Sequence, residues 1–210
     1  MSNLKPKLIS QESVNDLEVN LVAIANLPTK FGQFKIAAFE NNRDAKEHIA
    51  IIKGHVEGQS DVLTRIHSEC VTGDVFSSRK CDCGEQLHYA MEELAKNEAG
   101  LLLYMRQEGR GIGLANKIRA YQLQDNGMDT VEANLHLGFD DDMRSYDIAA
   151  EMIRLLAPQS VQLMTNNPKK YRGLLDAGIE VSERLPIKIM ANPFNEHYLE
   201  TKKEKSGHLL

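Results

Sequence analysis

The sequence predicts an α/β fold: a β-rich N-terminal part followed by alternating strands and helices. Three observations predict it. Four runs of apolar residues, separated by turn residues, fill positions 17–69. The hydrophobic period then changes to a helical one directly after Cys83. Further on, two short apolar runs, LLLYM and VQLMT, each lead through a loop toward a stretch of helical spacing. That is the pattern of a mainly parallel sheet, whose ligands lie beyond the carboxyl ends of its strands.

Taken in order, residues 1–16 are polar, contain Pro6 and show no sustained period, so they form an N-terminal extension. The strands that follow are EVNLVAIANL, then FGQFKIAAFE after a turn at Pro28 and Gly32, then HIAIIKGHV ending near Gly54, then DVLTRIHSE. After Cys83, Leu87, Ala90, Met91, Leu94 and Ala95 share one helical face, and residues 97–100 end that helix. LLLYM is a buried strand. RQEGRGIGL is a glycine-rich loop opening a helix over residues 116–124, stopped by DNGMD. Ile148, Met152, Ile153, Leu155 and Leu156 recur at helical spacing over residues 145–156, and Pro158 closes that helix. After the buried strand VQLMT, Asn167 as cap and Pro168 at the first helical position start a helix running to Asp176 before Gly178. IEVSERL is the last strand. The organisation expected is an extension over 1–16, one domain over 17–200 and a charged, mobile tail over 201–210.

A chain of 210 residues with 42% apolar content can bury a sizeable core. No apolar run approaches the roughly 20 residues of a membrane helix, and the N-terminus lacks the apolar core of a signal peptide. A cytoplasmic protein with no membrane partner is expected. The formal net charge of -5 argues against a generic nucleic-acid binder. Basic clusters at residues 117–119, 169–172 and 202–205 suit a small polyanion instead.

In a reducing compartment, three cysteines crowded into one segment are metal ligands or reactive thiols rather than disulfide partners. Cys70, Cys81 and Cys83 form a C-x10-C-x-C pattern whose intervening loop can fold back on one metal. Zinc takes sulfur readily in a tetrahedron. Structural sites fill all four positions from protein, and catalytic sites leave one for water. Only three cysteines exist, so the pattern points to a catalytic site, with a closed site completed by His67 or His88 as the alternative. Three unrelated buried thiols are the remaining reading. His67 and Glu69, beside the first cysteine, put an imidazole and a carboxylate next to a metal-activated water.

Residues 107–113, QEGRGIG, let backbone N–H groups approach an anion at a helix start, with Arg110 for charge-assisted contacts. Residues 165–170, TNNPKK, again pair a helix start with cations.

Taken together, RIHSECVTGD, CDCGEQL, LYMRQEGRGIGLANKIRAYQLQD, DTVEAN, LGFDDDMRSYDIAA, LMTNNPKKYRGLLDAGI and NEHYLETK resemble GTP cyclohydrolase II in order and spacing, over residues 17–210. The resemblance implies that family's fold, with residues 17–200 as the catalytic domain. It implies conversion of GTP and water to formate, pyrophosphate and 2,5-diamino-6-ribosylamino-4(3H)-pyrimidinone 5′-phosphate, the first committed step of riboflavin synthesis. It also implies one zinc per chain, magnesium on the substrate phosphates, and a homodimer.

Carried over by position, the family's zinc ligands fall on Cys70, Cys81 and Cys83. Its nucleotide contacts fall on Arg65, Ile66, His67, Ser68, Glu69, Gln86, Glu108, Gly109, Arg110, Thr130, Thr165 and Lys170. Gln86 and Glu108 are of types that can read guanine, and Arg110, Thr165 and Lys170 of types that bind phosphate. Tyr121 matches the family's acid–base tyrosine, and Asp142 and Arg144 its proton acceptor and nucleophile. A guanidinium stays protonated far above neutrality, so a clamp on phosphate charge is the alternative role for Arg144. Lys80 stands where an Arg usually precedes the second zinc cysteine, and Ser206 replaces an apolar residue. The length is expected to leave no room for a fused synthase domain. The competing functional reading is a zinc-stapled guanine-nucleotide-binding regulatory module without turnover.

Overall fold

A computed structural model describes residues 17–205, 207 and 209, the side chain of His197 excepted. The expected extension over residues 1–16 and the substitution at Ser206 lie outside the described residues.

The strands are β1 (Val19–Thr29), β2 (Gly32–Asn41), β3 (His48–Lys53), β4 (Val62–Ser68), β5 (Gly100–Met105), β6 (Val161–Met164) and β7 (Val181–Leu185). The helices are α1 (Val71–Asp74), α2 (Cys83–Ala95), α3 (Leu114–Gln124), α4 (Thr130–His136), α5 (Asp147–Leu156), α6 (Pro168–Asp176) and α7 (Glu196–Glu204). The predicted β-rich part and the predicted alternating part are not separate layers. All seven strands join one sheet in the order β1-β2-β3-β5-β4-β6-β7. Pairing is antiparallel from β1 through β3 to β5, and parallel among β5, β4, β6 and β7. β4, which follows three antiparallel strands in sequence, therefore lies at the centre of the parallel half. Its pattern is buried along nearly its whole length, as a strand covered on both faces must be.

Alternation along the strands sorts two cores. Val62 and Ile66 of β4 and Leu101, Leu103 and Met105 of β5 face α5 and α6, packing with Ile148, Met152, Ile153 and Leu174. Leu63 and Leu102 face the other way, onto Ala90, Met91 and Leu94 of α2. Because side chains alternate with a period of two, Arg65 and His67 share Leu63's face and point toward α2. That parity decides which part of RIHSE serves the site.

Three helices escaped the periodicity: α1, four residues inside the stretch read as a loop between the cysteines, α4 and α7. α4 is only seven residues long, yet its capping box was written in the sequence: Asp129 accepts from the backbone of Val131 and Glu132, and Glu132 accepts from Asp129 N. The tail expected to be mobile from residue 201 is, through Glu204, the second half of α7, with Thr201 and Lys202 buried. A charged run gave no apolar stripe to predict it. It is held instead by ion pairs: Lys202 to Asp82, and Lys205 to Asp129 and Glu132.

Candidate metal and nucleotide site

The parallel strands end on one side of the sheet, and the loops beyond their carboxyl ends form a cleft, as the strand–helix alternation predicted. After β4, the chain turns at once into α1, which carries Cys70 at its start, while Cys81 and Cys83 lie at the start of α2. The two helix starts touch because Gly73 and Gly84 have no side chain. A Cβ at Gly73 would stand 2.9 Å from Cys81 Sγ, and one at Gly84 would stand 2.3 Å from Gly73 O.

The three sulfurs lie within 4.8 Å of one another, with Cys70 and Cys81 Sγ 3.6 Å apart. Zinc–sulfur bonds of about 2.3 Å in a tetrahedron put ligands about 3.8 Å apart, so the set fits that ion. Without a cation the three thiols disturb each other. Hydrogen bonds from Cys81 and Cys83, aided by Lys117, hold Cys70 far below its usual range, while Cys70 pushes Cys81 up to about 11 and Cys83 well above its usual range. One divalent ion would take all three as thiolates. No fourth His, Cys, Asp or Glu joins the cluster among the described residues, so a closed site using His67 or His88 is not what the fold builds.

His67 has a different task. Its Nε2 lies 3.0 Å from Asp74 Oδ1, and Asp74 Oδ2 also accepts from Cys70 N at 2.9 Å and from Tyr104 OH at 2.8 Å. Burial lowers the pKa of His67 despite Asp74, so the imidazole stays neutral near neutral pH. Asp74 thereby ties the first cysteine's backbone to two aromatic rings stacked 5.5 Å apart.

Glu108 is similarly committed. Its carboxylate accepts from Val71 N at 2.7 Å, from Gly109 N at 2.8 Å and from Lys117 Nζ at 2.8 Å. Lys117 Nζ also lies 3.0 Å from Cys70 Sγ. Burial opposes its charge, but Cys70, Tyr121 and Glu108 hold it protonated. Glu108 thus braces the metal loop in this structure and does not line the cleft. Ile66 does not either: its side chain is fully buried in the α5 core, and its carbonyl accepts from Lys170 Nζ at 2.8 Å.

The cleft is lined by Arg65, His67, Ser68, Glu69, the three cysteines, Gln86, Gly109, Arg110, Tyr121, Thr130, Arg144, Thr165 and Lys170, so most predicted site residues meet in one place. Arg65 donates to Met164 O at 2.9 Å and to Gln86 Oε1 at 2.6 Å, and burial pulls its pKa down to about 10. Arg110 adopts a left-handed φ of 59° directly after Gly109 at 62°, a costly backbone held in place by its carbonyl, which accepts from Met143 N at 3.0 Å. Its guanidinium pairs with Asp141. Thr165 Oγ1 accepts from Asn167 N at 3.0 Å, and Thr130 opens α4 at the cleft wall. Glu69 lies 3.6 Å from Arg106. Lys80, the departure from the family's usual Arg, lines the cleft and pairs with Asp125.

Asp142 sits beneath the cleft, where Arg144 grips it with Nε at 2.7 Å and Nη2 at 2.8 Å; Nη1 lies 3.4 Å from Ser68 Oγ. Burial opposes Arg144's charge, but Tyr146 and Asp142 outweigh it and hold the guanidinium above its ordinary range. Lys170 has the opposite balance: burial, then Arg65 and Arg144, push it well below its usual value. Burial opposes the charge of Arg65 and Lys170, and an anion entering beside them would favour their charged forms. Tyr121 OH lies 3.4 Å from Thr72 Oγ1, and burial raises its pKa, keeping it a proton donor.

Sequence reasoning missed Asp74, Asp82, Lys117, Tyr198 and Lys202. Asp74 and Asp82 stood inside the cysteine motifs, where an acid next to a metal ligand is a signal for a supporting contact. Lys117 and Lys202 stood out only as members of basic clusters, with no sign of the partners they take, and Tyr198 carried no local signal.

A family profile described as GTP cyclohydrolase II matches residues 20–186. A protein named GTP cyclohydrolase-2 from Proteus mirabilis is 52% identical over 194 residues, 92% of this chain and 98% of that one. Proteins named riboflavin biosynthesis protein RibBA are 51% identical over 203 residues in Bacillus cereus and 48% over 204 residues in Endomicrobium trichonymphae, each covering 97% of this chain. This chain spans about half the length of these RibBA relatives, 51% in both. A solved structure of RibBX, a two-domain 3,4-dihydroxy-2-butanone 4-phosphate synthase from A. baumannii, aligns over 83% of this chain and 42% of that one, at 16% identity and a TM-score of 0.44, too loose a likeness to bear on the site. With the profile spanning residues 20–186 and a relative matched almost end to end, this chain belongs to the GTP cyclohydrolase II family.

Proposed function

We propose that the chain hydrolyses GTP to 2,5-diamino-6-ribosylamino-4(3H)-pyrimidinone 5′-phosphate, formate and pyrophosphate, the reaction its family's name denotes. The observation that carries this reading is that one cleft is lined both by three clustered cysteine sulfurs and by the basic side chains of Arg65, Arg144 and Lys170. A purely structural metal would need no such neighbours, and a simple phosphate site would need no sulfurs.

Cys70, Cys81 and Cys83 would hold zinc, which when bound supplies Lewis-acid activation of water for attack at an electron-poor ring carbon. Lys117 and Asp74 fix Cys70 through its sulfur and its backbone. Tyr121, kept protonated by burial, offers its proton to the opening imidazole ring. Gln86 meets the base edge. Arg144, Lys170 and Arg110 receive the phosphates, and magnesium accompanies those phosphates. Arg144 serves as a charge clamp in this scheme: its two-pronged hold on Asp142 keeps it a cation, the state suited to phosphate charge and not to nucleophilic attack.

A homodimer and a cytoplasmic location belong to the same proposal. In favour of the first, Leu21, Val22 and Ile24 on the edge strand β1 are 39%, 55% and 49% exposed. Consistent with the second, no helix among the described residues is long and apolar enough to cross a membrane.

The test is turnover of purified protein with GTP, zinc and magnesium, following formate and pyrophosphate together. Equal release of both, abolished by Cys83→Ser, is expected. Bound zinc with GTP binding but no formate would replace this reading with the regulatory-module one.

A further inference from the structure

The C-terminal helix α7 is tied to the floor of the cleft by a buried chain of polar contacts. Lys202 Nζ donates to Asp82 Oδ1 at 2.8 Å, with the two side chains only 9% and 2% exposed. Asp82 Oδ2 accepts from Gln86 Nε2, and Gln86 Oε1 accepts from Arg65 Nη2 at 2.6 Å. One turn before Lys202, Tyr198 lines the cleft, its ring 4.3 Å from the Lys202 ammonium. Farther along the helix, Lys205 pairs with Asp129 and Glu132 at the start of α4.

Asp82 occupies the N-cap position of α2 but makes no side-chain cap bond. An aspartate there ordinarily accepts from the first-turn backbone N–H groups. Its carboxylate is turned instead toward Lys202 and Gln86. Burying an ion pair is a poor source of stability, and in some proteins it serves instead to specify one arrangement over another. The arrangement specified here is that of an amide. Gln86 can present its oxygen or its nitrogen on either side, and the two orientations exchange donor for acceptor. With an anion on one side and a guanidinium on the other, only one orientation survives.

We propose that Lys202 is a positioning residue for base recognition: through Asp82 it locks the Gln86 amide into one donor–acceptor orientation, and with Tyr198 it makes α7 a wall of the nucleotide cleft. This deepens the function proposed above and rests on it for the assignment of Gln86 to the base. Guanine and adenine present reversed donor and acceptor patterns on the pairing edge, so a locked amide favours one of them and an unlocked amide discriminates less.

The test is equilibrium binding of guanosine and adenosine triphosphate analogues with a methylene α,β-bridge to zinc-loaded protein, with zinc content measured in parallel. Lys202→Met keeps most of the side chain's bulk but removes the charge that draws Asp82 away from its N-cap bond, so Asp82 can turn to the α2 backbone and release Gln86. It is expected to weaken guanine-analogue binding about tenfold, the effect of about 1.4 kcal/mol, with adenine-analogue binding changed less than threefold and zinc retained. Lys202→Arg restores the preference. Asp82→Asn, which lets Gln86 turn over, should lose the preference in the same way and serves if Lys202→Met does not fold. An unchanged guanine-to-adenine ratio in Lys202→Met or Asp82→Asn, or a loss of ratio that accompanies loss of zinc, overturns the inference. Formate release by the wild-type chain, followed separately, decides the function on which it rests.

Discussion

Replacing Glu108 by Gln in the nucleotide-free, zinc-loaded protein should destabilise the fold. Glu108 is 8% exposed and braces three donors: Val71 N, Gly109 N and Lys117 Nζ. Glutamine keeps the shape and one oxygen. If that oxygen stays with Gly109 and Lys117, the new NH2 group faces Val71 N, and a buried donor left without an acceptor costs about 1–3 kcal/mol. Lys117 also loses its carboxylate. Breaking a buried ion pair costs about 3–5 kcal/mol when nothing replaces the partner, and the nearby Cys70 sulfur limits the loss to the lower part of that range. Taking the lower values, because the two losses overlap, gives about 3–4 kcal/mol. At about 2–4 °C per kcal/mol for a chain of this size, the melting temperature should fall by roughly 6–16 °C. Scanning calorimetry at pH 7 with fixed excess zinc reads this directly. A shift below about 2 °C, combined with weakened GTP binding, would refute the brace and return Glu108 to the role of a guanine acceptor.

Gly73→Ala would place a Cβ 2.9 Å from Cys81 Sγ, so zinc affinity should fall at least about tenfold in competition with a chromogenic chelator. Arg144→Lys removes the two-pronged hold on Asp142 and should lower formate and pyrophosphate release by about 100-fold, with a smaller loss in GTP affinity. For Asp142, burial works against ionisation, but the hydrogen bonds and charge of Arg144 outweigh it and hold the carboxyl below its usual range. Its folded pKa lies below an unfolded value of about 3.9, so its stabilisation is present above that pH and is lost as pH falls through the folded value. Asp142→Asn should therefore be less stable than the wild type at pH 7, with the gap narrowing below about pH 4 in urea melts.

Much of the site was legible because its chemistry is carried by residue types in fixed local spacing. The three cysteines cluster within one short segment, and the geometry that joins their sulfurs needs only the turn through Gly73 and Gly84. The glycine-rich loop after β5 and the Asn167 cap before α6 likewise lie where strand, loop and helix follow one another in the sequence. What the sequence hid was direction and partnership at a distance. Glu108 looked like a ligand contact, yet its carboxylate turns to Val71 and Lys117. Ile66 stood in the middle of a functional motif, yet strand parity sends its side chain to the opposite core. The tail looked mobile because ion pairs with residues as remote as Asp82 and Asp129 leave no periodic trace.

By itself, then, the sequence determined most of the element types, the clustering of the three cysteines and the family, since each is written in local period, spacing or motif order. Only the tertiary structure decided that β4 would enter the parallel half of a single sheet, that Asp74 and Lys117 would hold the first cysteine, and that α7 would close over Asp82. The physical reason is that a buried charge is tolerated only where a partner meets it, and that partner is chosen by packing across the whole chain rather than by its neighbours in sequence.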